Sequence, residues 1–323
     1  MLAAGLAVVT LAALPARQAA PAIATAPPAG ATERAVALTF DDLPLTSEAC
    51  EPAVAREVTE RILEALAEAE APAVGFVNAS RTCGEPAAAL RDAVLEAWLD
   101  AGHDLGNHTW SHPDLERTPL AAYLEDVDRG AAPVDSLLEL RGRRLVWFRH
   151  PFLHVGDTPE KKSGLATHLA QNGWRVAPVT VDNQEWVYAY VYQAALARGD
   201  TALAARVAVA YLDHIDDAFA YFETRSREVV GREVPQVLLL HANRLNADLL
   251  EPLLARIRAR GYRFVELTDV MEDPVYARED PYTGRGGPSW IERWVLAAGG
   301  EPSPGPREDP WVAETYARLR AGS

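Results

Sequence analysis

The chain has 323 residues, 49% apolar and 24% charged, with a formal net charge of −15 from 31 basic and 46 acidic side chains. That length and composition suit one large α/β domain, or two small ones, with a sizeable core. The acidic balance argues against nucleic acid and strongly anionic polymers as partners, and favours a neutral, cationic or weakly charged substrate.

Residues 1–33 read as a leader. Their apolar stretch, 2–14, is shorter than the roughly 20 residues of a membrane span, so no stable membrane insertion is expected. It has the length of a signal-peptide h-region, and Ala20-Pro21-Ala22 or Ala22-Ile23-Ala24 supplies small residues for cleavage, although no Lys or Arg precedes it. Export with removal of the leader is the expectation. The two cysteines, Cys50 and Cys83, each follow a predicted strand. In an exported protein such a pair suggests a disulfide.

Beyond the leader, apolar runs alternate with helical patterns. Strand candidates lie at 35–40, 73–78, 103–107, 145–149, 174–181, 237–241 and 263–267. Between the first two, Val54, Val58, Ile62 and Leu66 form an i,i+4 stripe that belongs against a sheet. Alternation of strand and helix implies parallel pairing through right-handed crossovers. Seven strand candidates suit a (β/α) barrel better than an open sheet. Residues 187–235 carry about two helices of pattern and form an insertion, read either as one wall of a substrate cleft or as packing. After Asp273 the rhythm stops, and 273–323 reads as a surface tail with a short amphipathic helix around Trp290 and Trp294. Trp290, Trp294 and Trp311 suit sugar stacking or, more commonly, packing.

Parallel α/β folds build sites at the C-terminal ends of their strands. "VALTFDDLP" (36–44) ends in Asp41 and Asp42, and "GHDLGNHTWSHPDL" in His108 and His112. "WFRHPF" presents Arg149 and His150, "VTVDNQEW" Asp182 and Glu185, and "VLLLHAN" His241. His108 and His112, four apart, fall on one face of a helical turn, a spacing suited to two ligands of one divalent ion. One carboxylate completes the set. Neighbouring residues on a regular strand point to opposite faces, so for both aspartates to serve one site the strand must end or bulge there. One would then bind metal while the other acts as base for an activated water. His241 is placed as acid for the leaving group, and Arg149 to hold the catalytic carboxylate. Asp182 or Glu185 would pair with His241 or with Arg149, and a backbone amide near Phe152 would hold the oxyanion.

These motifs, in this order, resemble the polysaccharide deacetylase family, the nodulation-protein-like deacetylases of carbohydrate esterase family four. "TFDDLP", "GNHTWSHPDL", "RHPF", "DNQEW" and "LLLH" carry the resemblance, which spans 36–267. It implies a distorted (β/α) barrel with about seven parallel strands and a catalytic domain at 34–272. It assigns Asp41 as base, Asp42, His108 and His112 as ligands of zinc (or cobalt, nickel or manganese), Arg149 as the group orienting the base, and His241 as general acid. The implied activity is removal of N- or O-acetyl groups from a carbohydrate by an exported bacterial enzyme, periplasmic or extracellular. The chain departs from the family pattern at Leu43, where Gly is usual, at Phe152 and Leu153, where Tyr-Gly is usual, and at Glu185, where Asp is usual. Those rim changes keep two alternatives in view: an amidohydrolase for a small non-sugar amide, and a non-catalytic carbohydrate-binding member. A glycosidase is disfavoured, because adjacent carboxylates do not span the roughly 5–10 Å that its mechanisms need. His103, His154, His168 and His214 are read as structural or surface residues.

Overall fold

The computed structural model describes residues 34–46, 51–82 and 88–322. The leader and both cysteines, with the disulfide expected of them, lie outside the described residues. Seven parallel strands form the sheet: β1 (Arg34–Leu43), β2 (Ala73–Val77), β3 (Asp104–Asn107), β4 (Trp147–Phe148), β5 (Arg175–Val176), β6 (Gln236–His241) and β7 (Tyr262–Phe264). Their order is β5-β4-β3-β2-β1-β6, and β7 pairs with the start of β1. Crossover helices α1 (Pro52–Glu68), α2 (Ala89–Asp100), α3 (Leu120–Glu139) and α4 (Pro159–Gln171) connect the first five strands. Helices α5 (Glu185–Ala197) and α6 (Thr201–Val230) lie between β5 and β6, α7 (Arg244–Ala259) lies between β6 and β7, and α8 (Leu267–Val270), α9 (Trp290–Ala297) and α10 (Pro310–Ala321) follow β7.

β1 is central and almost wholly buried, as a strand flanked on both edges and covered on both faces must be. The stripe expected of α1 packs inward: Val58, Ile62 and Leu66 are fully buried, and Val54 is partly buried against the same cluster. The strand expected at 174–181 proves to be two separate pairings. Arg175 and Val176 pair with β4, the chain bends, and Val181 pairs with Leu238 of β6. Ala177 N–H donates to Phe148 O at 2.8 Å, while Leu239 N–H donates to Val181 O at 3.2 Å. One short segment thus links the two outer strands, so the sheet curls into an irregular barrel.

The insertion forms two helices packed on each other. α6 begins where Asp200 accepts the Leu203 N–H at 2.9 Å and ends at Gly231, whose φ of 84° supplies the left-handed turn that stops it. Residues after Asp273 are not a surface tail. Ile291, Arg293, Trp294 and Val312 are buried, because α9 docks its apolar face against α6 and α10 against α5. Trp294 is therefore a packing anchor. Among the described residues no helix is long and apolar enough to cross a membrane.

Candidate active site

The two aspartates reach one site through a bulge. Along β1 the partners in β2 are Phe40↔Gly75 and then Leu43↔Val77, so three steps on one strand oppose two on the other. Asp42 takes up the extra step with a left-handed φ of 66°. The opposite-face rule is broken at this point, as two aspartates serving one site require. Asp41 Oδ1 and Asp42 Oδ1 are both buried and without a hydrogen-bond partner.

His108 and His112 do come together, with ring centroids 4.8 Å apart, but not on a helix. Residues 108–114 are irregular, and Thr109 and His112 have φ of 70° and 57°. Asn107 Oδ1 accepts the Thr109 N–H at 2.8 Å, and Asp126 Oδ1 accepts the Trp110 and Ser111 N–H groups, each at 2.9 Å. Thr109 Oγ1 accepts the His112 N–H at 3.0 Å. These short polar side chains compete with helical hydrogen bonding and tie the loop into a turn. Gly130 lets α3 press on that turn, where a Cβ would meet the Thr109 carbonyl carbon at 2.3 Å.

Asp42 Oδ1 lies 3.6 Å from His112 Nε2 and 3.9 Å from His108 Nε2, and the three ligand atoms lie within 4.8 Å of one another. His108 Nδ1 is 2.9 Å from Arg149 O. A carbonyl only accepts, so Nδ1 carries the proton and the Nε2 lone pair faces Asp42. Burial pushes both imidazoles down to about 4, which keeps them neutral. Burial opposes ionisation of Asp42, but His112 and Arg81 outweigh it and hold this carboxyl well below the usual range. One anionic oxygen without a partner and two neutral, oriented imidazoles fit a borderline divalent cation.

Around this set lie the other expected residues. Arg149 is fully buried, with Nη1 3.6 Å from Asp41 Oδ2 and Nη2 donating to Thr39 Oγ1 at 3.0 Å. Burial, only partly countered by Arg149, pushes the Asp41 carboxyl up. Asp41 and His241 are register partners of β1 and β6. His241 Nδ1 lies 2.6 Å from Glu185 Oε2, and Asn243 Nδ2 donates to Glu185 Oε1. Burial alone would lower His241, but Glu185 reverses this and raises it to about 9. Of the alternatives left open by the sequence, Glu185 contacts His241 directly, while Asp182 lies within electrostatic reach of both Arg149 and His241.

The Pro151–Leu153 turn stands beside the histidines. Phe152 and Leu153 both have φ of 58°, and the Phe152 ring, 54% exposed, meets His112 edge-on at 4.5 Å. His103 packs against Trp98 and His214 against Tyr188, His154 pairs with Asp114, and His168 with Asp128. Sequence reading missed Arg81, whose Nη2 is 3.8 Å from Asp42 Oδ2, although "NASR" at the end of β2 carried the same strand-end signal. It also missed Arg293, which donates from Nη2 to Leu153 O at 2.9 Å. No local pattern marks that contact, 140 residues away in sequence.

Residues 29–166 match the polysaccharide deacetylase family. Over 244 residues the chain is 31% identical to the peptidoglycan-N-acetylglucosamine deacetylase PgdA of Listeria monocytogenes, covering 75% of this chain and 40% of the relative. Over 146 residues it is 30% identical to the peptidoglycan-N-acetylmuramic acid deacetylase PdaC of Bacillus subtilis, covering 45% of this chain and 26% of the relative. The chain thus spans about a quarter to two fifths of the length of these curated relatives. The solved structure of PdaC from Bacillus subtilis superposes with a TM-score of 0.47 at 23% identity, over 74% of this chain and 91% of that one.

Proposed function

Because the chain belongs to the polysaccharide deacetylase family, we propose that it is an exported, metal-dependent hydrolase that removes acetyl groups from a carbohydrate. On an N-acetyl group it would cleave a non-peptide carbon–nitrogen bond. The observation that carries this reading is the largely buried Asp42, His108 and His112 set, with Asp41 beside it and the Glu185-supported His241 opposite Asp41 across the β1–β6 ladder. Peptidoglycan and chitin are the substrates named for relatives, which makes an N-acetylated glycan the substrate class to test first.

Asp42, His108 and His112 would hold the ion, and zinc, which takes two histidines and one carboxylate in hydrolytic sites, is the ion to test first. Such an ion, when bound, lowers the pKa of a water and polarises a carbonyl oxygen. Asp41, held by Arg149, takes the proton as the water oxygen attacks the acetyl carbon. His241, kept protonated by Glu185, gives its proton to the leaving nitrogen or oxygen as the acyl bond breaks and acetate departs. The Phe152 amide, carried by the left-handed turn, is the proposed oxyanion donor. The 2–14 apolar run and the small-residue triplets behind it support export.

The test is acetate release from acetylated sugars, with and without a chelator and with zinc restored. Release that stops on chelation and returns with zinc is expected. Chelator-insensitive release, or full activity of Asp41→Asn, would sink the mechanism.

A further inference from the structure

We infer that the C-terminal segment 280–304 builds a second carbohydrate subsite, which seats a neutral pyranose unit next to the acetylated one. This rests on the deacetylase reading above and adds to it a wall, 280–304, that lies outside the family motifs.

A groove of about 360 Å³ opens between the loop bearing Asp182 and Gln184 and the segment bearing Tyr282, Ser289 and Pro304. Small-ligand sites span about 300–1,000 Å³, so the groove has room for a sugar unit. Asp182 borders the groove and also acts by its charge on Arg149, while the His241 charge acts on Asp182. Gly287 of the groove abuts the Phe152 carbonyl, and Gln184 directly precedes Glu185, the partner of His241, so the groove lies beside the reacting groups.

The walls differ in chemistry. Asp182 and Gln184 offer a carboxylate and an amide, while Tyr282, Phe222 and Pro304 offer rings. Pyranoses share this division, with hydroxyls around the rim and apolar C–H faces, and rings with polar tips suit both. Ser289, also at the groove, has a buried hydroxyl oxygen without a hydrogen-bond partner. Asp182 and Arg285 both line the groove, so it carries no single sign of charge that would select an ionised sugar.

The segment is held rigidly to the catalytic elements. Arg293, fully buried, donates to Pro288 O at 3.0 Å, to Asp280 Oδ2 at 3.1 Å and to Leu153 O at 2.9 Å. Lys162 Nζ donates to Tyr282 O at 2.7 Å, and Gly286 N–H donates to Glu116 Oε1 at 2.6 Å. Trp290 N–H donates to Val179 O at 2.7 Å. A groove fixed in this way needs little ordering when a ligand enters, which favours affinity.

The test compares N-acetylglucosamine oligomers of one to five units. For the unaltered protein, KM for the pentamer is expected to lie at least about tenfold below KM for the monomer, the effect of about 1.4 kcal/mol of added binding. Pro304→Trp, which fills the groove, and Gln184→Asn, which shortens the amide in a backbone conformation Asn accepts, should bring that ratio to within about twofold of one. A ratio near one in the unaltered protein, or a ratio kept in both variants, overturns the subsite. Titration calorimetry of the chelated protein with the same oligomers separates this from the parent reading. If no acetylated sugar releases acetate, the deacetylase reading falls. The subsite then stands on length-dependent binding lost in Pro304→Trp, and falls if binding is absent or independent of length.

Discussion

Asp41 and His241 face each other as register partners across the β1–β6 ladder. The Ala242 N–H donates to Asp41 O at 3.1 Å, so the backbone itself fixes the spacing of these two groups. Proposed base and proposed acid thus sit on adjacent strands, each with its own buried partner, Arg149 for one and Glu185 for the other. Rigid elements carrying reactive groups hold geometry better than loops do.

The two neighbouring aspartates should fail differently. Asp42→Asn removes the anionic ligand and should abolish stoichiometric zinc binding. Asp41→Asn should bind zinc normally and lose about 10²–10⁴-fold in kcat, the range for loss of a general base. Metal analysis of each purified variant beside its rate of acetate release decides the matter, and equal zinc loss in both would refute the division of roles.

His241 gives a pH prediction with a definite sign. Its pKa in the fold, about 9, exceeds its ordinary value, so the protonated acid persists up to about pH 9 and activity should fall above it. The stability contributed by its pairing with Glu185 is fully present below the ordinary imidazole range and lost as pH rises through about 9. Glu185→Gln leaves burial less opposed, which shifts the alkaline limb toward acid. At pH 8 the variant should lose at least about tenfold in kcat. A pH–rate profile with an unmoved limb would count against Glu185 as the supporting group.

Arg149→Met should separate stability from metal binding. It leaves the Asp41 carboxyl buried without its cation, a change of about 3–5 kcal/mol when one partner of a buried pair is removed. The contact that orients His108 comes from the Arg149 backbone carbonyl and survives the substitution. Urea unfolding should report the loss while zinc affinity stays close to that of the unaltered protein.

Two glycines should also part company. A Cβ at Gly130 would meet the Thr109 carbonyl carbon at 2.3 Å, so Gly130→Ala displaces the histidine turn. Zinc affinity should weaken about 10–100-fold, as when support behind a ligand is lost. A Cβ at Gly287 would meet Phe152 O at 2.2 Å, so Gly287→Ala displaces the proposed oxyanion donor instead. There kcat should fall about tenfold or more, the scale for a disturbed oxyanion contact, with zinc binding retained. Competition with a zinc indicator dye, run beside the assay, distinguishes the two.

Much of this site is legible because strand ends are marked locally. A run such as "VALTF" must be buried, and acids directly after it must be accounted for, which is visible without a structure. The HxxxH spacing pointed to two histidines that do come together, but on an irregular turn and not on a helix. Asn107, Asp126 and Thr109 replace helical bonds with side-chain bonds, and a period of four does not register that. The C-terminal residues were misread because a Pro- and Gly-rich stretch looks alike whether it lies in solvent or is strapped down by a buried arginine.

By itself the sequence determined the parallel α/β alternation, the strand-end residues and their order along the chain, all of which rest on short-range hydrophobic periodicity and residue chemistry. Only the tertiary structure decided which carboxylate meets His241 and which distant backbone the buried Arg293 holds. Glu185 reaches His241, and Arg293 holds the Leu153 carbonyl, across separations of 56 and 140 residues. Such pairings follow from sheet register and from the desolvation of charges brought together by folding, and neither is encoded in the neighbours of a single residue.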